Sequence, residues 1–326
     1  MARRELGPAS LAVAQAVEDT WATASVESGG RLPPAVLVAC SGGADSLALA
    51  FAAERLASRH ELGLSAVVID HGLQEASASV AGSAVFELER LGYSDAVVLR
   101  VSVEPEDGRG VEAAARQARY AALDAEAARR RAIVLLGHTL DDQAETVLLG
   151  LARGSGTRSL AGMRPRTAGY LRPLLRLRRA VTVQACQELG LTYWLDPHNS
   201  DPAYTRSRVR HRVLPVLEAE LGPGVAAALA RTAELARDDA DLLDQLAEQA
   251  HPEAETADCS TLAGLPAALR RRALRRWLVR HGVPEPSYRA VVDVEALVTD
   301  WRGQRGIHVP GGTVVRTGGR LHLNRR

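Results

Sequence analysis

From Ala35 onward, short β-rich apolar runs alternate with amphipathic stretches. The runs 35–39, 64–69, 96–99 and 132–136 are short, continuous and rich in Val, Ile, Leu and Ala, the pattern of strands buried on both faces. The stretches near 46–58, 75–91 and 110–130 carry helical periodicity. Strand, helix and strand in series predict an α/β fold, a Rossmann-like parallel sheet with right-handed crossovers and helices on both faces. Ligands in such sheets bind beyond the carboxyl ends of the strands, which directs attention to 40–46, 70–73 and 137–145. After about Pro215 the pattern turns to helices, at 216–221, 225–250 and 262–281, with a Val/Gly-rich hairpin at 306–324. The expected division is an N-terminal helical segment at 1–30, the α/β domain at 31–215, and a smaller, mainly helical domain at 216–326.

Composition narrows the chemistry. A chain of 326 residues with 46% hydrophobic and 24% charged positions is globular and long enough for two domains. All 40 basic residues are arginine, so a Schiff-base lysine, a Ser-x-x-Lys nucleophile and a Walker A lysine are excluded. Cys40, Cys186 and Cys259 are odd in number and far apart, which argues against a disulfide framework, a Cys-x-x-Cys zinc site or a redox motif. No apolar run reaches the ~18 residues of a membrane span. The basic start, Met1-Ala2-Arg3-Arg4, is soon broken by Gln15, Glu18 and Asp19, so a signal peptide is not expected. The expectation is a cytoplasmic protein with no membrane association and no obligate protein partner. A net charge of +1 conceals a division: 216–260 holds 11 acids and 2 arginines, whereas 261–326 holds 13 arginines and 4 acids. Such runs are often solvated helix faces, but a basic lobe also suits a polyanion.

The run 35–39 ends in Cys40-Ser41-Gly42-Gly43-Ala44-Asp45-Ser46, followed by an apolar helix. A strand, a Gly-Gly turn and a helix start make an anion site. Glycine permits unusual φ and close approach, and the first-turn N–H groups point at the ligand. Ser41 and Ser46 add hydroxyls. Asp45 beside a phosphate implies an intervening cation, and hence Mg²⁺ with Asp45 as ligand. The bland alternative is a glycine turn with Asp45 capping the helix.

The run 132–136 ends in Gly137-His138-Thr139-Leu140-Asp141-Asp142-Gln143-Ala144-Glu145-Thr146. Asp142 and Glu145 are three apart and share a helix face. One reading is a capping box from Thr139 to Asp142. The other is a cation pocket at the sheet edge that carries the phosphate loop, for Mg²⁺ or a substrate ammonium. His138 is either a structural hydrogen-bonding residue or a phosphate contact.

Ser41-Gly42-Gly43-Ala44-Asp45-Ser46 resembles the PP-loop of the N-type ATP pyrophosphatases, which split ATP between its α- and β-phosphates and need no lysine in the loop. The segment 137–146 narrows the resemblance to the tRNA(Ile)-lysidine synthases. Asp70-His71-Gly72-Leu73-Gln74 is similar to that family's turn after the second strand, with Gln74 in place of arginine. Glu112 to Tyr120, with Arg116 and Arg119, resembles its Glu-x-x-x-Arg-x-x-Arg-Tyr helix. Arg153-Gly154-Ser155-Gly156, Gly162-Met163 and Arg172-Pro173-Leu174-Leu175 resemble its basic loop region. Asp196-Pro197-His198-Asn199-Ser200-Asp201, with Tyr204, Arg206 and Arg210, resembles its following segment, with Ser207 in place of asparagine. The similarity is strong over 35–215 and weaker over 216–326, which is similar to the family's tRNA-binding domain.

The resemblance implies a ligase that uses ATP and Mg²⁺. The C2 oxygen of the wobble cytidine in CAU-anticodon tRNA(Ile) attacks the α-phosphate. L-lysine then attacks C2, giving lysidine and AMP. On this reading Ser41, Gly42, Gly43, Ala44, Asp45 and Ser46 cradle ATP. Asp142 and Glu145 hold the lysine amine, Arg206 holds its carboxylate or the adenylate, and His138 belongs to the catalytic set. Arginines at 153–179, 206–212 and 270–276 offer forks for RNA phosphates and bases. The rival readings are a PP-loop tRNA thiolase, which needs paired cysteines, and a non-catalytic nucleotide- or RNA-binding protein.

Overall fold

A computed structural model describes residues 6–70, 72, 77–102, 111–154, 156–197, 201–250 and 256–325, without the side chains of 111–113. His71, Leu73, Gln74, Ser155, His198, Asn199, Ser200 and the Glu112 side chain therefore lie outside the described residues. In chain order the elements are α1 (Pro8–Glu27), β1 (Ala35–Cys40), α2 (Ala44–His60), β2 (Gly63–Asp70), α3 (Ser77–Arg90), β3 (Ala96–Arg100), α4 (Val111–Arg130), β4 (Ala132–Leu136) and α5 (Leu140–Ala152). Next come α6 (Thr157–Leu160), β5 (Arg166–Thr167), β6 (Tyr170–Leu171), α7 (Arg179–Leu189), α8 (Thr205–Arg208), a π-helical turn (Val209–Val213), α9 (Leu214–Glu220) and α10 (Val225–Ala250). The chain ends with β7 (Ala257–Asp258), α11 (Cys259–Gly264), α12 (Ala267–Arg280), α13 (Tyr288–Thr299), β8 (Ile307–Val309), β9 (Gly312–Thr317) and β10 (Arg320–Arg325). Two compact units result, 1–146 with 163–230 and 147–162 with 231–326. Among the described residues no single helix is long and apolar enough to cross a membrane.

The first unit holds the sheet β3-β2-β1-β4-β6-β5, parallel except for the antiparallel β5–β6 pair. Alternation along β1 sends Val36, Val38 and Cys40 into one core with α1, α2 and α7, and Leu37 and Ala39 into the other with Leu123 of α4. Both faces are thus covered, as the unbroken apolar runs predict. Strand order reverses between β1 and β4, which pair with Ala39 opposite Leu136. The phosphate loop after β1 and the acidic segment after β4 therefore leave the sheet side by side, at the kind of switch point where α/β folds bind ligands.

The second unit packs α11, α12 and α13 against a four-stranded antiparallel sheet, β7-β10-β9-β8, around Leu262, Leu274, Trp277, Val294 and Leu321. The expected hairpin is thus part of a larger sheet. The helix expected at 262–281 divides at Leu265, which is extended (φ −79, ψ 146), because Pro266 disfavours helical backbone before it.

Candidate active site

The phosphate loop follows its sequence-based outline. Gly42 adopts φ +78, a left-handed conformation that favours glycine, and a Cβ there would approach Ala84 Cβ to 3.1 Å. Gly43 is the N-cap of α2 with an ordinary φ of −77, and no side chain caps the helix. The first-turn N–H groups of α2 thus have no capping side chain. The Ser46 hydroxyl donates to the Gly43 carbonyl at 2.9 Å and accepts from Ser41 N–H at 3.1 Å, so it braces the loop. Ser41 is exposed, and Ala44 opens the helix. Asp45 does not cap α2. It lies inside the first turn and accepts a hydrogen bond from the Thr182 hydroxyl of α7. A cavity of about 280 Å³ opens beside the loop at the ends of β1 and β2, lined by Ser41, Asp70, Arg119, Trp194 and Asp196 among others.

The acidic segment forms half of a capping box and also an arginine-paired carboxylate cluster. Asp142 Oδ2 accepts from Thr139 N–H at 2.8 Å and from the Thr139 hydroxyl at 2.9 Å, the carboxylate half of a capping box. Its Oδ1 accepts from Arg179 Nη2 at 2.7 Å and Arg210 Nη2 at 3.2 Å. Glu145 is fully buried. Its Oε1 accepts from Arg210 Nε at 2.6 Å, and its Oε2 from Arg206 Nε at 2.8 Å and Arg210 Nη2 at 3.1 Å. Arg206 and Arg210 are four apart across the start of the π turn, and both reach the acidic pair. Asp141 faces α7 instead, accepting from the backbone N–H of Arg179 at 2.7 Å and from the Arg178 side chain at 3.1 Å.

Burial and charge tune these groups in different directions. Burial pushes the Asp45 carboxyl up, and Arg179 and the Thr182 hydroxyl offset this only in part. Burial also works against the Asp142 anion, but Arg179, the Thr139 N–H and Arg210 outweigh it and hold that carboxyl below its ordinary value. Burial lowers His138 to about 3, against the opposing pull of Asp142, so its ring is neutral in the physiological range. Its Nδ1 is buried without a hydrogen-bond partner. The imidazole therefore brings hydrogen-bonding capacity to the site and no charge.

The sequence-based set thus converges: Asp45, His138, Asp142, Glu145 and Arg206 lie on the loops and helices around one sheet edge. Three participants were missed. Arg179 was visible only as part of an arginine cluster. Thr182 carried no signal of its own, because α7 was unread. Gly137 carries no signal of its own in the sequence, yet a Cβ there would stand 3.0 Å from the Asp45 carbonyl oxygen and 3.2 Å from Ser46 N, so a side chain would crowd the start of α2 where β4 ends against it. Among the described residues no group of three His, Cys, Asp or Glu can hold a metal on its own. Mg²⁺, however, is commonly held by one or two carboxylates together with substrate phosphates, and Asp45 beside the loop fits that mode.

Comparison with known proteins agrees with this geometry. Residues 15–217 match the PP-loop domain family, which implies ATP binding, and residues 258–322 match the TilS substrate binding domain. The tRNA(Ile)-lysidine synthase of Thermobifida fusca is 54% identical over 283 residues, covering 85% of this chain and 87% of that protein. The synthase of Streptomyces coelicolor is 52% identical over 301 residues, covering 88% and 84%. Among solved structures, the U34-tRNA thiolase NcsA of Methanococcus maripaludis aligns with a TM-score of 0.53 at 19% identity, covering 68% of this chain and 80% of that one, a likeness of fold alone. With identity above one half across most of both chains, and with both family domains in place, this chain belongs to the tRNA(Ile)-lysidine synthases, ATP-dependent ligases of the PP-loop group.

Proposed function

We propose that this protein joins L-lysine to C2 of the wobble cytidine in CAU-anticodon tRNA(Ile) through an adenylated base. The observation that carries this reading is the adjacency of the phosphate loop and the Asp142/Glu145 pair at the β1/β4 switch point. The cytidine C2 oxygen attacks the α-phosphate of ATP, the bond to the β-phosphate breaks, and pyrophosphate leaves. The ε-amine of lysine then attacks C2, and AMP departs with the former C2 oxygen.

Ser41 to Ser46 hold the triphosphate through the loop and the first turn of α2. Asp45 is the ligand for Mg²⁺, which when bound supplies positive charge that offsets the charge building on the phosphates. Asp142 and Glu145 hold the lysine amine. Because guanidinium groups already occupy both carboxylates, an incoming ammonium must exchange with one of them. Arg206, whose side chain is 39% exposed, can swing away from Glu145 and meet the lysine carboxylate or the adenylate. His138 donates or accepts a hydrogen bond as a neutral ring. Exposed arginines of 258–322, such as Arg289, Arg305 and Arg320, meet tRNA phosphates. The thiolase reading lacks support: all three cysteines are free and buried.

Asp142→Asn tests the amine pocket, since it removes charge and keeps shape. The apparent affinity for lysine should fall more than that for ATP, with a thermal melt controlling for the weakened cap. A selective loss of ATP affinity, with lysine use intact, would assign Asp142 to the phosphate side.

A further inference from the structure

Arg179 stands between the two halves of the site. Its Nη2 donates to Asp142 Oδ1 at 2.7 Å, and its Nε lies 3.6 Å from Asp45 Oδ2, an ion-pair distance too long for a hydrogen bond. That Nε is buried and has no hydrogen-bond partner. The guanidinium fork is therefore half engaged: Nη2 is committed to the acidic segment, and Nε is a buried donor beside the phosphate loop. Its backbone is fixed, because the Arg179 N–H donates to Asp141 Oδ2. Any rearrangement is thus confined to the side chain. Thr182, one turn on, donates to Asp45 and keeps that carboxylate attached to α7 when the guanidinium shifts.

We infer that Arg179 couples the two substrates, so that a triphosphate on the Ser41–Ser46 loop draws its guanidinium from Asp142 and frees that carboxylate for the ammonium of lysine. This rests on the function proposed above. The direction follows from charge. A triphosphate offers more negative charge than one carboxylate and accepts the arginine fork in bidentate geometry, satisfying the Nε donor that now lacks an acceptor. Asp142, left with the Thr139 hydrogen bonds on Oδ2 and only the longer Arg210 contact on Oδ1, becomes the better site for a small cation. Arg179 is a positioning residue on this view, and its signature is linkage between two ligands. Because linkage is reciprocal, lysine must tighten nucleotide binding by the same factor.

Titration calorimetry on the full chain tests this, measuring lysine affinity with and without a non-hydrolysable ATP analogue and Mg²⁺. In the wild type the analogue should tighten lysine binding by about fivefold or more, the lower end of ordinary coupling. In Arg179→Met lysine should bind more tightly than in the nucleotide-free wild type, and the analogue should change its affinity little. Arg179→Lys keeps the charge without the fork, and its coupling should be intermediate. Lysine binding by the wild type that is indifferent to the analogue would overturn the coupling, as would full coupling in both variants. A wild type that binds the analogue but no lysine in either condition would overturn the lysine reading itself, and the inference with it.

Discussion

Gly137 shows how closely the two loops are fitted together. Gly137→Ala would press a methyl group against the backbone of the first turn of α2, where no flexible side chain can give way. Overpacking of this kind costs about 1–3 kcal/mol, and here the strain falls on the phosphate loop. The expected outcome is weaker ATP-analogue binding in calorimetry together with a lower melting temperature. His138 makes a prediction about pH. Its folded value of about 3 lies below its unfolded value, so the fold favours the neutral ring. The associated stability is complete above about pH 6.5 and declines as pH falls toward 3, because the unfolded chain takes up a proton that the fold refuses. The slope is at most about 1.4 kcal/mol per pH unit. Denaturant unfolding at pH 7, 6 and 5 should show wild type losing more stability than His138→Gln. At this scale Gly42, Asp142 and Glu145 were legible as candidates because local spacing singles them out. Thr182 was not, because it meets Asp45 across 137 residues of chain.

Helix α12 shows what happens when a local pattern meets its neighbours. Arg271, Arg272 and Arg276 read from the sequence as a basic face for tRNA phosphates. The fold instead pairs Arg271 with Glu295 of α13, and Arg272 and Arg276 with Asp244 and Glu248 of α10. The acidic and basic halves of the C-terminal region thus neutralise one another to a large degree. Replacing all three arginines with glutamine should lower the melting temperature by at least about 2 °C and leave the salt dependence of tRNA binding nearly unchanged. A lower slope of log affinity against log salt, without loss of stability, would return these arginines to the RNA surface. Periodicity located the four main strands and the helices between them. It missed α13, although Ser287 supplies a cap to Ala290 N–H and Val291, Val294, Leu297 and Val298 lie on one face. It missed α7 and the short pair β5–β6, since two-residue strands carry no period and are defined only by their partners.

For the molecule as a whole, chain order along the sheet decides function more than any one motif does. The phosphate loop and the acidic segment are separated by roughly 90 residues of sequence but lie beside each other because β1 and β4 pair. The sequence supplied each loop, whereas their adjacency had to be inferred from the rule that parallel sheets bind ligands at one edge. On the proposed reading that adjacency gives a single site for nucleotide chemistry and amine recognition, and the match to the substrate binding domain supports tRNA as the substrate. The most direct test is to incubate the protein with ATP, Mg²⁺, labelled lysine and unmodified tRNA(Ile), and to follow label in RNA together with pyrophosphate. Label should enter the RNA only when ATP is present, about one lysine per pyrophosphate released, and should be found at the wobble cytidine. Pyrophosphate release without lysine in the RNA, or label equally abundant in tRNAs lacking a CAU anticodon, would contradict the account.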